Sequence, residues 1–192
     1  GQYSSMASLA GISLPSESGS KTQEAIARVE SFDFFANNFL PHIMLENFLA
    51  VKKWNQATNT LVYDKNDFDS DSGQWVRKAS PPRSIIPSSQ EAYEKYMEVM
   101  SITEDKKNSF VSLSFKHESP VLAKQWVGLI INQIDQVMRD EDRQEATRSI
   151  EYLNSISSTV NYEEIKKALS SLQQEQMKQL MVVEASKNYV FK

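Results

Sequence analysis

The chain has 192 residues, with 21 basic and 25 acidic side chains and a formal charge of −4. Because it contains no cysteine, composition excludes disulfide frameworks, thiolate nucleophiles, Cys-type zinc sites and iron–sulfur clusters. Its five glycines exclude a glycine-rich phosphate cradle, and its mildly acidic charge argues against electrostatic binding of nucleic acid.

The two ends indicate a piece of a longer protein. The chain starts at Gly1, and Tyr189-Val190-Phe191 reads as a strand that stops as it begins. Residues 1–20 contain seven serines and three of the five glycines, so we expect 1–19 to be a flexible arm. No run of 18 apolar residues spans a membrane, and no signal peptide is visible.

Helical periodicity begins at Ser20, which has Gln23 at capping-box spacing. The predicted helix ends before Pro41. A second short helix is predicted over 43–54, and 56–87 is predicted to be a long surface connection with extended pieces at 61–63 and 75–77. The apolar stripe of the first helix is Ala25, Ile26, Val29, Phe32, Phe35 and Phe39, and the buried side of the second is Met44, Leu45, Phe48, Leu49 and Val51.

The next segment carries the clearest local signals. Ser88 and Glu91 have the spacing of a capping box, and the inner face of the following helix is predicted to be Tyr93, Tyr96, Met97 and Met100. Alternation over 111–115, with Ile102 across a polar turn, predicts a β-hairpin with one polar and one buried face.

The final third is predicted to be almost entirely helical. Ser119-Pro120 provides a cap and an N1 proline, which opens a long helix over 119–160. Asn161 with Glu164 marks a new capping box, so a return helix over 161–186 would form an antiparallel hairpin with the first. About 20 Å of the longer helix must then pack elsewhere, on the sheet or on the N-terminal helices.

A charged segment interrupts the apolar stripe of the long helix. The stripe that ends at Met138 resumes at Ala146 as a narrower seam typical of a coiled coil. Two explanations stay open: a solvated face, or pairing across copies in an oligomer. A single narrow seam also favours side-by-side packing of several hairpins. The candidate oligomer or partner surface is therefore Arg139, Asp140, Glu141, Asp142, Arg143 and Glu145.

The sequence contains no recognisable catalytic, cofactor or metal site. His42 and His117 have no partner at a spacing known to form a site, and we predict structural roles for both. The segment 67–73 fits a calcium loop poorly, because Gly73 is seventh rather than sixth and Lys78 is twelfth; a solvated turn is the competing interpretation. Trp126 lies on the apolar stripe and is predicted to be core.

The order of these elements resembles a known family. The hairpin Met100–Phe115 runs into Ser119-Pro120-Val121-Leu122-Ala123-Lys124-Gln125-Trp126-Val127, followed by Ser149-Ile150-Glu151-Tyr152-Leu153-Asn154 and finally Asn188-Tyr189-Val190-Phe191-Lys192. The chain is similar to the periplasmic domain of the bacterial polysaccharide chain-length determinants (polysaccharide co-polymerases) of the lipopolysaccharide O-antigen type. The resemblance covers 84–192 closely and 1–80 more loosely, through Ala7–Ile12 and Gln74–Arg77.

The resemblance implies a predominantly helical α+β fold: an α/β base with a small mixed sheet, carrying a long helical hairpin protrusion. It implies one periplasmic domain over 20–192, with the base from 20–118 and 187–192, and membrane helices outside this chain in the bacterial inner membrane. The implied role is non-enzymatic: a ring-like homo-oligomer sets O-antigen length together with a separate polymerase, either by binding the growing polysaccharide or by arranging polymerase copies. No cofactor is implied. The alternative is a periplasmic adaptor of an efflux or secretion system, and a polysaccharide hydrolase is a third hypothesis.

Overall fold

A computed structural model describes residues 18–105, 107, 110–157, 162–186 and 189–190. About 60% of these residues are helical, and the strands form small two-stranded sheets, so the fold is a mostly helical α+β fold. The predicted arm over 1–19 lies almost entirely outside the described residues.

The chain divides into two compact units, whose boundaries fall within two helices, Ser18–Val29 and Pro120–Ser157. One unit is Ile26–Ile134, and the other joins the described residues up to Ala25 with those from Asp135 onward.

The first predicted helix is broken into several pieces. Helix α1 (Ser18–Val29) is followed by a short α2 (Phe32–Phe34), a π-helix (Phe35–Phe39) and a 3₁₀ turn (Leu40–His42). Ser31 restarts the helix, since its Oγ accepts a hydrogen bond from the Phe34 amide at 3.2 Å. Pro41 lacks an amide hydrogen, which accounts for the loosened turns before it. Helix α1 begins at Ser18, two residues before the predicted start at Ser20.

The second predicted helix is shorter than expected. Helix α3 (Leu45–Leu49) ends before strand β1 (Val51–Asn55), which pairs antiparallel with β2 (Thr60–Tyr63). The predicted helix is therefore wrong beyond residue 50, because β1 satisfies its backbone across the ladder to β2. Met44, predicted to be buried, is 64% exposed.

Two further hairpins complete the strands of Ile26–Ile134. Strands β3 (Phe68–Asp69) and β4 (Gln74–Trp75) form one pair, and β5 (Met100–Asp105) and β6 (Phe110–Phe115) form the hairpin predicted from alternation. The described residues therefore contain three separate antiparallel pairs and not the predicted mixed sheet. Each pair is joined by a short connection, which allows only antiparallel pairing.

Helix α4 (Ser89–Val99) begins as predicted. The Ser88 hydroxyl accepts from the Glu91 amide while the Glu91 carboxylate accepts from the Ser88 amide, a complete capping box. Tyr96 and Met100 are buried as expected, but Met97 is 41% exposed.

An aromatic cluster forms the core of Ile26–Ile134. Phe39 is central, with its ring centroid 5.2–6.3 Å from those of Tyr96, Phe115 and Trp126. The buried Tyr96 hydroxyl donates to the Val29 carbonyl at 2.9 Å, so its polar atom is satisfied inside the core. Trp126 is core, as predicted.

Helices α5 (Pro120–Ser157) and α6 (Glu163–Ala185) fall close to their predicted bounds. The α5 N-terminus has the predicted cap, because the Leu122 amide donates to the Ser119 hydroxyl at 3.4 Å. The N-cap of α6 is Tyr162, one residue later than predicted, and Asn161 lies outside the described residues. Residues 189–190 form a bend, so the predicted strand is wrong at those positions.

Candidate functional site

The charged segment of α5 bonds to its own chain. In the unit that contains the residues from Asp135 onward, α5 passes beside the C-terminal end of α6 and the bend at 189–190. A group of bonded side chains lies there, which we call the Tyr189 cluster: Lys21, Asp135, Arg139, Asp142 and Tyr189. Lys21 and Tyr189 come from opposite ends of the described chain and the other three from one face of α5, and all five residues are at least half-buried.

Arg139 closes the C-terminal end of α6. Its Nη1 donates to the carbonyl oxygens of Val183 and Ser186, each at 2.6 Å. The last carbonyls of a helix lack intrahelical partners and carry the negative end of the helix dipole. A guanidinium at this position satisfies both requirements, so Arg139 acts as a side-chain cap supplied by a different helix.

Asp135 holds the bend that follows. Its Oδ1 accepts from the Val190 amide at 2.9 Å and from the Tyr189 amide at 2.5 Å, while its Oδ2 accepts from Arg139 Nη2 at 2.8 Å. Burial by itself would raise the pKa of Asp135, but the bonds from Arg139 and from the two amides outweigh burial and lower it.

The phenol of Tyr189 lies between a cation and an anion. Lys21 Nζ donates to the Tyr189 hydroxyl at 2.6 Å and also pairs with the Asp142 carboxylate. The Tyr189 hydroxyl in turn donates to Asp142 at 2.5 Å. Burial, followed by the neighbouring Asp142, raises the pKa of Tyr189. Burial opposes the charge on Lys21, yet its bonds to Asp142 and Tyr189 leave its pKa raised.

The other four residues of the predicted oligomer or partner surface are more exposed to solvent than the Tyr189 cluster. Arg143 donates to Glu184 on α6 at 2.5 Å and to Asp140 at 2.9 Å, and all three side chains are substantially exposed. Glu141 is exposed and Glu145 is half-buried. The six predicted residues thus separate into two that are bonded within the Tyr189 cluster, Arg139 and Asp142, and four nearer to solvent.

Three members of the Tyr189 cluster, Lys21, Asp135 and Tyr189, are not among the residues predicted from the sequence. Lys21 and Tyr189 are 168 residues apart, so no local pattern links them. The only available signal was the regular placement of Asp135, Arg139 and Asp142 at steps of four and three along α5, which puts them on one helix face.

His117 is half-buried, His42 is exposed, and the candidate calcium loop forms the turn between two paired strands. The His117 ring packs against Trp126 with centroids 4.7 Å apart, and its Nδ1 accepts from the Ser119 amide at 3.1 Å. Burial lowers the pKa of His117. His42 is exposed in the 3₁₀ turn. The segment 67–73 includes the β3–β4 turn, where the Asp69 carboxylate accepts from the Ser72 hydroxyl at 2.6 Å.

Within the described ranges, no group of three His, Cys, Asp or Glu side chains is placed to hold a metal ion. Over the same residues, none of the helices combines the length and the hydropathy needed to cross a membrane. Comparison of the chain with known protein families, with curated proteins and with solved structures finds no match.

Proposed function

We propose that this chain is the periplasmic part of a bacterial inner-membrane protein that regulates the chain length of lipopolysaccharide O-antigen without being an enzyme. The order of elements carries the proposal. The β5–β6 hairpin leads through Ser119-Pro120 into a 38-residue helix and then a 23-residue one. This is the order that the family resemblance implies for the base and protrusion.

We also propose that α5 and α6 pack together as an antiparallel helical hairpin. Arg143 contacts Glu184, whereas Asn154, three turns further along α5, contacts Gln173, which comes earlier in α6. Contacts that run in opposite directions along two helices are typical of antiparallel packing. At 1.5 Å per residue, the 38 residues of α5 form a helix about 57 Å long.

We further propose that the partners are other copies of this chain, a separate O-antigen polymerase and the growing polysaccharide. Helix α6 buries a narrow seam and leaves several apolar side chains in water, which packing against neighbouring hairpins would cover. The seam is Leu169, Leu172, Gln176 and Val183, and the exposed apolar residues are Ile165, Met177, Met181 and Val182.

Deletion of the gene in its host tests the proposed function. Lipopolysaccharide from the deletion strain, separated by gel electrophoresis and silver-stained, should lose its modal cluster of O-antigen bands and show an unregulated distribution. The total O-antigen should persist, because the polymerase is a separate protein.

Complementation provides the control. The intact gene should restore the modal cluster, and a gene lacking α5 and α6 should not, although its product is present in the membrane by immunoblot. An unchanged band distribution in the deletion strain would contradict the proposal.

A further inference from the structure

An open cavity of about 330 Å³ in Ile26–Ile134 is lined by residues of α4, of the β3–β4 hairpin and of the segments beside that hairpin. We call it the Trp75 cleft, and its lining includes Asp67, Trp75, Arg77, Arg83, Glu91 and Glu94. Its volume is at the lower end of the range for small-molecule sites, about 300–1,000 Å³. We therefore expect it to accommodate one small ligand or a short stretch of a longer one.

An ion pair makes one side of the Trp75 cleft rigid. Arg77 donates to both carboxylate oxygens of Glu91, at 2.7 and 3.0 Å. It also donates to the carbonyl oxygens of Ile85 at 2.9 Å and Ser84 at 2.6 Å. The Arg77 and Glu91 side chains are only 18% and 17% exposed. A bidentate pair held in this way is preorganised, which lowers the entropy cost of docking a ligand against it.

The charges that line the Trp75 cleft are of both signs. They are the carboxylates of Asp67, Glu91 and Glu94, the guanidinium groups of Arg77 and Arg83, and the pair formed by Lys95 and Glu98 at 3.0 Å. A cationic ligand would be repelled by the basic groups and an anionic ligand by the acidic ones. A hydroxyl group can donate to a carboxylate and accept from a guanidinium. The lining therefore favours a neutral ligand that carries several hydroxyls.

Three of these charged groups have hydrogen-bonding capacity left for a ligand. Over the described residues, the Asp67 and Glu94 carboxylates accept no hydrogen bond and form no ion pair, although the charge of Arg77 acts on Asp67. Arg83 Nε lies 3.7 Å from Glu91, which is beyond hydrogen-bond distance, and the Arg83 side chain is 67% exposed. Two acceptors and one guanidinium are thus available.

Trp75 adds an aromatic ring and a further donor to the lining. The residue is half-buried, and its ring packs on Phe68 in a T-shaped arrangement with centroids 5.5 Å apart. Within the described ranges, Trp75 Nε1 has no hydrogen-bond partner, whereas Trp54 Nε1 donates to Asn59 at 2.8 Å. A sugar ring has apolar C–H faces that stack on an indole, and hydroxyls at its edge that bind polar groups beside it. The lining of the Trp75 cleft offers both kinds of contact.

We propose that the Trp75 cleft binds an uncharged sugar unit of a polysaccharide, stacked on Trp75 and hydrogen-bonded to Asp67, Glu94 and Arg83. This inference rests on the proposed function and deepens it, because it gives the growing polysaccharide a contact site within Ile26–Ile134. A cavity of this size contacts few sugar units, so we expect a Kd on the order of 1 mM for one site. Several copies in an oligomer would bind one long glycan more tightly through avidity.

Nitrogen-15 NMR of the purified 192-residue chain tests the site directly, because each of its three tryptophans gives one indole N–H signal. The probe is O-antigen polysaccharide of the host strain, freed of lipid A by mild acid. The Trp75 signal, assigned by its absence in Trp75→Phe, should shift progressively as polysaccharide is added. The signals of Trp54, which is bonded to Asn59, and of the buried Trp126 should stay in place.

Glu94→Ala tests the polar contacts of the cleft. It removes one free acceptor, so the Kd should rise at least about fivefold. The matched control is Glu175→Ala, which removes another exposed glutamate from a helix but does not line the cleft. It should bind like the unaltered chain, and circular dichroism should show that both variants are folded.

Two charged probes, spermidine and inorganic phosphate, should leave the Trp75 signal in place. Absence of a shift at about 10 mM polysaccharide repeat units, or equal affinity of Glu94→Ala and Glu175→Ala, would overturn the inference. A Trp75 shift with spermidine or phosphate that polysaccharide does not reproduce would also overturn it, since the cleft would then bind a charged ligand. The proposed function fails separately, if deletion of the gene leaves the O-antigen band distribution unchanged.

Discussion

The hydroxyl of Tyr189 donates a 2.5 Å hydrogen bond to the carboxylate of Asp142, across 47 residues of sequence. This bond attaches the segment after α6 to the middle of α5, where the sequence shows only a run of charges. The charged run is therefore part of the folded unit, and its Tyr189 cluster can be tested residue by residue.

Tyr189→Phe removes one hydroxyl from the cluster and keeps the ring. The Asp142 carboxylate and the Lys21 ammonium each lose a bond to the buried Tyr189, so we expect the free energy of unfolding to fall by about 1–2 kcal/mol. Urea unfolding followed by circular dichroism measures the change. Tyr162→Phe is the control, because Tyr162 is 75% exposed. Equal stability of the two variants would show that the Tyr189 hydroxyl contributes nothing.

Arg139→Lys tests the cap on α6. A lysine keeps the charge but cannot donate to Val183, Ser186 and Asp135 together in the fork geometry of a guanidinium. We expect faster amide hydrogen exchange over the last turn of α6 and at Tyr189 and Val190, because their anchors loosen. Arg148→Lys, at an exposed position of the same helix, should leave exchange unchanged. Unaltered protection in Arg139→Lys would contradict the capping role.

Glu91 predicts a pH dependence of stability. The hydrogen bonds from Arg77 and from the Ser88 amide lower the pKa of Glu91 from 4.5 to about 2. A carboxylate whose folded pKa is lowered stabilises the fold fully above its unfolded pKa, and that contribution is lost as the pH falls from 4.5 toward 2.

Glu91→Gln isolates this effect, since glutamine can still complete the capping box but cannot pair with Arg77. We expect a loss of about 1–2 kcal/mol at neutral pH and a shallower decline in stability between pH 4.5 and 2. Glu94→Gln, on the exposed side of α4, should keep the full decline. A pH profile of Glu91→Gln identical to that of the unaltered chain would refute the assignment.

Gln176 is a buried polar side chain in the α6 seam. It is 1% exposed, and its Nε2 has no hydrogen-bond partner in the part of the chain that the structure describes. An unsatisfied buried amide costs free energy, so Gln176→Leu should raise the stability by about 1 kcal/mol in urea unfolding. Gln174→Leu, at an exposed position, should change it little. A destabilised Gln176→Leu variant would show that the amide is satisfied.

Local signals in the sequence predicted local structure well. The Ser88–Glu91 capping box, the Ser119 cap and the alternation over 111–115 each involve residues only a few positions apart, so their chemistry is visible in the sequence. The extent of α5 also followed from local signals, since Ser119-Pro120 marks its start and no proline interrupts residues 121–157.

Contacts between residues far apart in the chain could not be predicted from the sequence. The helical spacing of the apolar residues up to Val51 predicts a helix where β1 lies, and only the ladder to β2 makes this segment a strand. Likewise, nothing local distinguishes Arg139 and Asp142, which join the Tyr189 cluster, from Asp140 and Glu141 beside them, which do not. A run of charges does not reveal which members find a partner many residues away.

The most direct test of the proposed function is an exchange of segments. Residues 1–192 would replace the periplasmic segment of a characterised O-antigen chain-length determinant, in a strain whose own gene for the regulator is deleted, and the modal O-antigen length would be read from silver-stained lipopolysaccharide. We expect a regulated modal cluster that differs from the recipient's own. An unregulated distribution, from a chimaera that immunoblotting shows in the membrane at the normal level, would contradict the proposed function.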